Sequence, residues 1–122
     1  MKKESPIFLI NIEQETNSNQ YYRDVLFTST HQQLVVMNLL PGEEIERESH
    51  PHLDQFIRIE KGHGQLIVQD NFFYTLREGD AVIIPAKTIH YIQNMSQTES
   101  LKLYTLYSPP NHPPNLRQER HI

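Results

Sequence analysis

Residues 42–62 read GEEIERESHPHLDQFIRIEKG. The stretch is acidic, carries two histidines and is bounded by glycines. Its spacing is regular: Gly42, five residues, Glu48, one residue, His50, four residues, Gln55, six residues, Gly62. In extended backbone, side chains two positions apart point the same way, so Glu48 and His50 face together. They face inward if Ile45 and its apolar neighbours do. Pro51 then ends any strand ladder, and Gln55 opens a new β-rich run, QFIRIE. A second stretch, 79–94, reads GDAVIIPAKTIHYIQN, with Gly79, five residues, Pro85, His90 five positions later, then three residues and Asn94. It supplies a histidine from a third strand. Two imidazoles and a carboxylate converging from separate strands form a facial ligand set with open positions, suited to a divalent transition metal such as Zn, Fe, Mn or Ni. The same groups also suit a metal-free polar pocket. A buried Glu48 without either partner would be costly.

Outward from these stretches the chain reads as short strands. The expected runs are 23–28, 33–40, 55–60, 64–69, 72–76, 80–84, 89–93 and 99–107, separated by turn signals such as Pro41-Gly42 and Gly62-His63-Gly64. No long segment keeps a helical apolar period. Strands at a spacing of about ten residues predict an all-β sandwich or barrel. The last run alternates, with Leu101, Leu103, Thr105 and Tyr107 on one face. Runs 34–37 and 81–84 are apolar on both faces and read as central, doubly covered strands. Residues 64–76 read as a hairpin turning at Asp70-Asn71, with Phe72 and Phe73 as core and interface. The expected organisation is an N-terminal strand and polar loop over 1–22, one barrel over 23–108, and a proline-rich arm over 109–122 that leaves the sheet. Residues 13–20, EQETNSNQ, read as loop.

Composition limits the function. At 122 residues the chain is one domain able to bury its own core. It has no cysteine, which excludes disulfides, thiolate metal sites and thiol nucleophiles. The net charge is −4 with scattered basic residues, so no nucleic-acid surface is expected. The apolar run Ile7–Ile10 is too short for a signal core or membrane helix, and a soluble cytoplasmic protein is the expectation. Nucleophile-elbow, phosphate-loop and dinucleotide fingerprints are absent. The seven histidines are many for this length.

The two stretches resemble, in order and spacing, the two signature motifs of the cupin superfamily. Flanking strands extend the resemblance over roughly residues 30–108. The tract HPHLDQF with LKLYTLYSPP is similar to small single-domain cupins described as mannose-6-phosphate isomerase-like. The resemblance implies a double-stranded β-helix, or jelly-roll barrel, with one metal inside. Its ligand positions fall on Glu48, His50, Gln55 and His90. Three positions depart from the pattern: Glu48 stands where the family has its first histidine, Gln55 where it has glutamate, and Lys87 where it has glycine. An amide is a poor ligand beside carboxylate or imidazole, so Gln55 is either a weak fourth ligand or a structural hydrogen-bonding group. The resemblance also implies a homodimer and a small-molecule ligand or substrate.

Other polar residues are secondary. His52 reads as a rim residue that could substitute as a ligand. His31, His63, His112 and His121 read as surface, with His112 within reach of a barrel mouth. Tyr104, like Tyr91 and Tyr107, packs in the sheet or lines the pocket. Lys87 and Arg58 are the nearby cations that could anchor an anionic substrate. Two functions follow: a metal-dependent enzyme of isomerase or dioxygenase type, or a non-catalytic binder of a sugar or small acid in a metal-free pocket. No catalytic residue is assigned.

Overall fold

The alternating run near the C-terminus becomes β9 (Leu101–Ser108), with Leu101, Leu103, Thr105 and Tyr107 buried and the residues between them partly exposed. A computed structural model describes residues 5–121. The preceding strands are β1 (Arg23–Thr28), β2 (Gln33–Leu39), β3 (Glu44–Glu48), β4 (Asp54–Lys61), β5 (His63–Val68), β6 (Phe72–Arg77), β7 (Ala81–Ile84) and β8 (His90–Gln93); β10 (Arg117–Gln118) follows. Every pairing is antiparallel. One sheet has the order β10-β1-β2-β9-β4-β7 and the other β3-β8-β5-β6. This is the two-sheet, all-β jelly roll of a double-stranded β-helix. Val35, Met37, Ile57, Ile59 and Leu103 of the larger sheet pack against Ile45, Leu66 and Ile92 of the smaller one, all excluded from solvent. Burial at these positions is the main source of stability.

Motif residues that ligate nothing hold the frame. The Asn94 side chain donates to the carbonyls of Leu39 (3.0 Å) and Glu99 (2.9 Å) and accepts from Ser96 N–H, which ties the end of β8 to β2. Gly62 has φ +83, and a Cβ there would collide with the Ser100 carbonyl oxygen. Glycine is required on both counts.

Five expectations are overturned in whole or in part. Residues 6–11 form no strand, and part of the expected 13–20 loop is a helix, α1 (Ile12–Ser18). Asn11 caps α1 by accepting from Gln14 N–H at 2.9 Å, and Glu13 and Glu15 lie in its first turn, where the helix dipole favours acids. At seven residues α1 is too short to display an apolar period. The run 81–84 is not doubly covered: β7 pairs only with β4, and Ile83 is 67% exposed. Phe72 and Phe73 are not core; they stand exposed on β6, an edge strand of the smaller sheet. The proline arm leaves the sheet but returns as β10, which pairs with β1. Residues 1–4 of the expected N-terminal segment and Ile122 of the arm lie outside the described residues.

Candidate metal centre

Glu48 reaches the interior because the backbone breaks its alternation. Ile45 is opposite Ile92 and Glu48 is opposite His90, so β3 carries one more residue than β8 between those pairs. An extra residue of this kind is a β-bulge, which re-aims side chains. It turns Glu48 to the face that Ile45 already occupies and leaves Arg47 outside, where it forms a two-bond ion pair with Asp70. His50 follows the end of β3. Its carbonyl accepts from Lys87 N–H at 2.7 Å, in the turn before β8. Lys87 has φ +71, which explains why glycine suits that position; its side chain is exposed and apart from the centre.

Three donor atoms, one each from Glu48, His50 and His90, lie within 4.8 Å of one another. Glu48 Oε1 is 3.2 Å from His50 Nε2 and 3.7 Å from His90 Nε2. With bonds of about 2.0–2.2 Å, neighbouring ligands of one ion stand roughly 3–3.5 Å apart, so the set is close to ligating geometry. His90 is 1% exposed, and its Nδ1 is 2.9 Å from the Thr88 carbonyl. A carbonyl only accepts, so the ring proton is on Nδ1 and the Nε2 lone pair is turned toward Glu48. That Nε2 is buried with no hydrogen-bond partner. A lone pair facing a carboxylate is repulsive unless a cation lies between them. Holding Nδ1–H on a carbonyl is the usual way a protein orients a ligating imidazole. Burial pushes the Glu48 carboxyl up, but the hydrogen bond with His50 and the neighbouring His50 and His90 rings outweigh burial and bring it down to about 2.

Gln55 is fully buried on the inward face of β4. Its Nε2 donates to Thr105 Oγ1 at 3.0 Å, and its Oε1 has no hydrogen-bond partner. The amide is thus tethered by its nitrogen, with its oxygen uncommitted. His52 is exposed and outside the cluster. Tyr104 is on the outer face of β9 against Phe56, with ring centroids 6.2 Å apart, and does not line the interior. Arg58 is also on the outer face, paired with Glu60 at 3.2 Å.

The expectation that His112 and His121 are plain surface residues is overturned. Gln33, fully buried at the start of β2, accepts from the N–H groups of Asn111 and His112 and donates to the His112 carbonyl at 2.7 Å. This clamp folds the arm over the barrel mouth. His112 Nε2 comes within 3.3 Å of the Tyr107 hydroxyl, and the Tyr107 ring packs edge-on against both His112 and His50. Burial, then the Arg23 charge, push the His112 imidazole down to about 4, so it is neutral near pH 7. Burial likewise pushes the Tyr107 phenol up. His121 Nε2 is 3.0 Å from Glu46 Oε1. A cavity of about 380 Å³ lies beneath the arm, walled by Glu48, Tyr22, Arg23, His112, Gln118 and His121 among others. Four larger hollows elsewhere among the described residues contain none of the three clustered residues.

Residues 35–107 match the family model described as the cupin domain. The chain is 47% identical over 116 residues to the uncharacterized protein L612 of Acanthamoeba polyphaga mimivirus, covering 93% of this chain and 72% of that protein. It is 40% identical over 111 residues to the uncharacterized protein YrkC of Bacillus subtilis, covering 87% of this chain but only 59% of YrkC. Among solved structures, BH2720 of Bacillus halodurans superposes with a TM-score of 0.89 at 40% identity, covering 98% of this chain and 95% of that one. With its two-sheet jelly roll and inward His/Glu cluster, the chain belongs to the cupin family.

Proposed function

We propose that the chain holds one divalent transition metal through Glu48, His50 and His90 and acts on a small molecule in the cavity beside Glu48. The observation that carries this reading is the buried His90 Nε2, oriented by Thr88 and otherwise partnerless, 3.7 Å from Glu48 Oε1. The donor set of two nitrogens and one carboxylate oxygen suits Zn, Fe, Mn or Ni. When bound, such an ion supplies Lewis acidity at its open positions. Glu48 offsets part of the ion's charge, and His50 and His90 fix its position. Gln55 leaves its amide oxygen free for a weak fourth bond or for a substrate hydroxyl. Tyr107, His112 and the arm shield the site from bulk water. Isomerisation and dioxygen-dependent oxidation are the proposed reaction classes.

The alternative is a metal-free pocket that binds a sugar or small acid without turnover. The Gln55 tether to Thr105 favours it, because the family's carboxylate position is occupied by a neutral amide held through its nitrogen. Incubating protein loaded separately with Zn, Mn, Ni or anaerobic Fe(II) with a panel of aldoses, sugar phosphates and small acids, while following dioxygen uptake and carbonyl migration, separates the two readings. Metal-dependent turnover that His90→Ala abolishes supports the enzyme. Saturable binding without turnover, indifferent to metal, supports the binder.

No helix among the described residues is long and apolar enough to cross a membrane. A cytoplasmic homodimer is proposed. The open β6 and β7 edges support the dimer, because Phe72, Phe73 and Ile83 are more exposed than a lone chain usually leaves such residues.

A further inference from the structure

Arg23 is a cation without a counter-charge. It pairs with Met37 across β1 and β2, and Met37 pairs with Leu103, both fully buried, so the Arg23 side chain starts on the inward face. From there it reaches the cavity beside Glu48. Among the described residues no carboxylate forms an ion pair with it. Its Nη1 donates to the neutral Gln118 Oε1 at 2.6 Å, its guanidinium carbon is 5.2 Å from the Tyr22 ring centre, and its buried Nε has no hydrogen-bond partner. The two acids on the same cavity are already engaged, Glu46 with His121 and Glu48 with His50. An unclaimed, partly buried guanidinium N–H is costly unless an acceptor fills it.

We propose that the cavity takes a small organic anion, and that Arg23 anchors its carboxylate or phosphate oxygens. Guanidinium N–H groups match both in charge and geometry. The volume of about 380 Å³ accommodates a small organic molecule. This inference deepens the proposed function and rests on it in one respect: Glu48 borders both sites, so an anion held by Arg23 presents its other end to the metal centre. Gln118, on β10, aims Arg23 and is a positioning residue.

The test follows the Arg23 Nε–H resonance of the full-length protein, and the heat of binding in it and in its variants, metal-free and zinc-loaded, during titration with pyruvate and with inorganic phosphate, using glycerol as the uncharged comparator. A saturable shift with either anion and none with glycerol is expected, with affinity falling about tenfold or more in Arg23→Gln. Gln118→Glu keeps Arg23 but supplies it with a carboxylate, so it weakens anion binding similarly even if Arg23→Gln misfolds. No shift with either anion at millimolar concentration, or undiminished binding in both variants, overturns the inference. Binding that survives Arg23→Gln but disappears in His90→Ala places the anion on the metal centre alone; it overturns the role of Arg23 and leaves the metal reading intact. An Arg23-dependent shift in protein that takes up no metal upholds the anchor and sinks the metal reading.

Discussion

Glu48 Oε1 and His90 Nε2 stand 3.7 Å apart at the paired ends of β3 and β8, and the His90 proton is held away from Glu48 by the Thr88 carbonyl. Two acceptors facing one another in a buried site need a cation between them. With a metal bound, that cation is the metal. In the metal-free protein the neighbouring His50 and His90 rings hold Glu48 ionised, and the stabilisation depends on its staying so.

That dependence sets an acid limit. The Glu48 carboxyl is held at about 2 against an ordinary value of 4.5, so its folded-state value is depressed. Its contribution to stability is fully present above 4.5 and is lost as pH falls toward about 2. Denaturant titrations of metal-free protein across this window should show wild type losing more stability than Glu48→Gln, which has no carboxylate to protonate. Parallel curves for the two would contradict the assignment.

Gln55→Glu restores the carboxylate of the family pattern beside Thr105. Metal affinity should rise by about tenfold or more, since carboxylate is the better ligand. Metal-free protein should become less stable by about 1–3 kcal/mol, because the new group is buried with no cation to balance it. Isothermal titration with Zn and chemical denaturation with chelator measure the two effects, which should carry opposite signs.

Gln33→Leu removes the clamp on the arm. It strips hydrogen-bond partners from Asn111 and His112 and should cost about 2–4 kcal/mol. Backbone amides of 111–118 should exchange faster, while those of β4 and β9 change little. Mild acid should act in the same direction. His112 is depressed to about 4 from an ordinary 6.5, so the folded state favours its neutral form, and arm docking weakens as pH falls through that interval. Hydrogen exchange of the arm at two pH values, corrected for intrinsic rates, checks this.

Backbone geometry gives a further contrast. Gly62→Ala forces a Cβ against the Ser100 carbonyl at φ +83 and should destabilise by about 2 kcal/mol or more. Lys87→Gly relieves a left-handed residue at φ +71 in the turn that holds His50, and should be neutral or stabilising by up to about 1 kcal/mol. Thermal unfolding of both variants decides.

The motif spacing made the jelly roll and the convergence of Glu48, His50 and His90 legible, because glycines, proline and asparagine mark where strands turn and tie together. What the sequence hid is mostly non-local. Glu48 is an odd number of positions from Ile45, so strict alternation would point one of them outward; the bulge resolves this, and nothing in the residues announces it. Arg23 looks like an ordinary strand residue until β10 returns to pair with it. His112 becomes a wall residue through Gln33, nearly eighty positions away. The β6 and β7 edges read as core because apolar residues on an open edge have the same composition as buried ones. For α1 a signal was present, the Asn11 cap with acids after it, but seven residues give no period to confirm it.

The central claim is that Glu48, His50 and His90 together hold a metal. Protein purified without a histidine tag or chelator, alongside His50→Ala and His90→Ala, is analysed for bound metals by plasma mass spectrometry and then offered Zn, Fe, Mn and Ni. The account predicts about one equivalent of a transition metal per chain in the wild type and loss of most of it in each variant, as expected for a three-ligand site. Wild-type protein that arrives metal-free and fails to take up any of the four would contradict it.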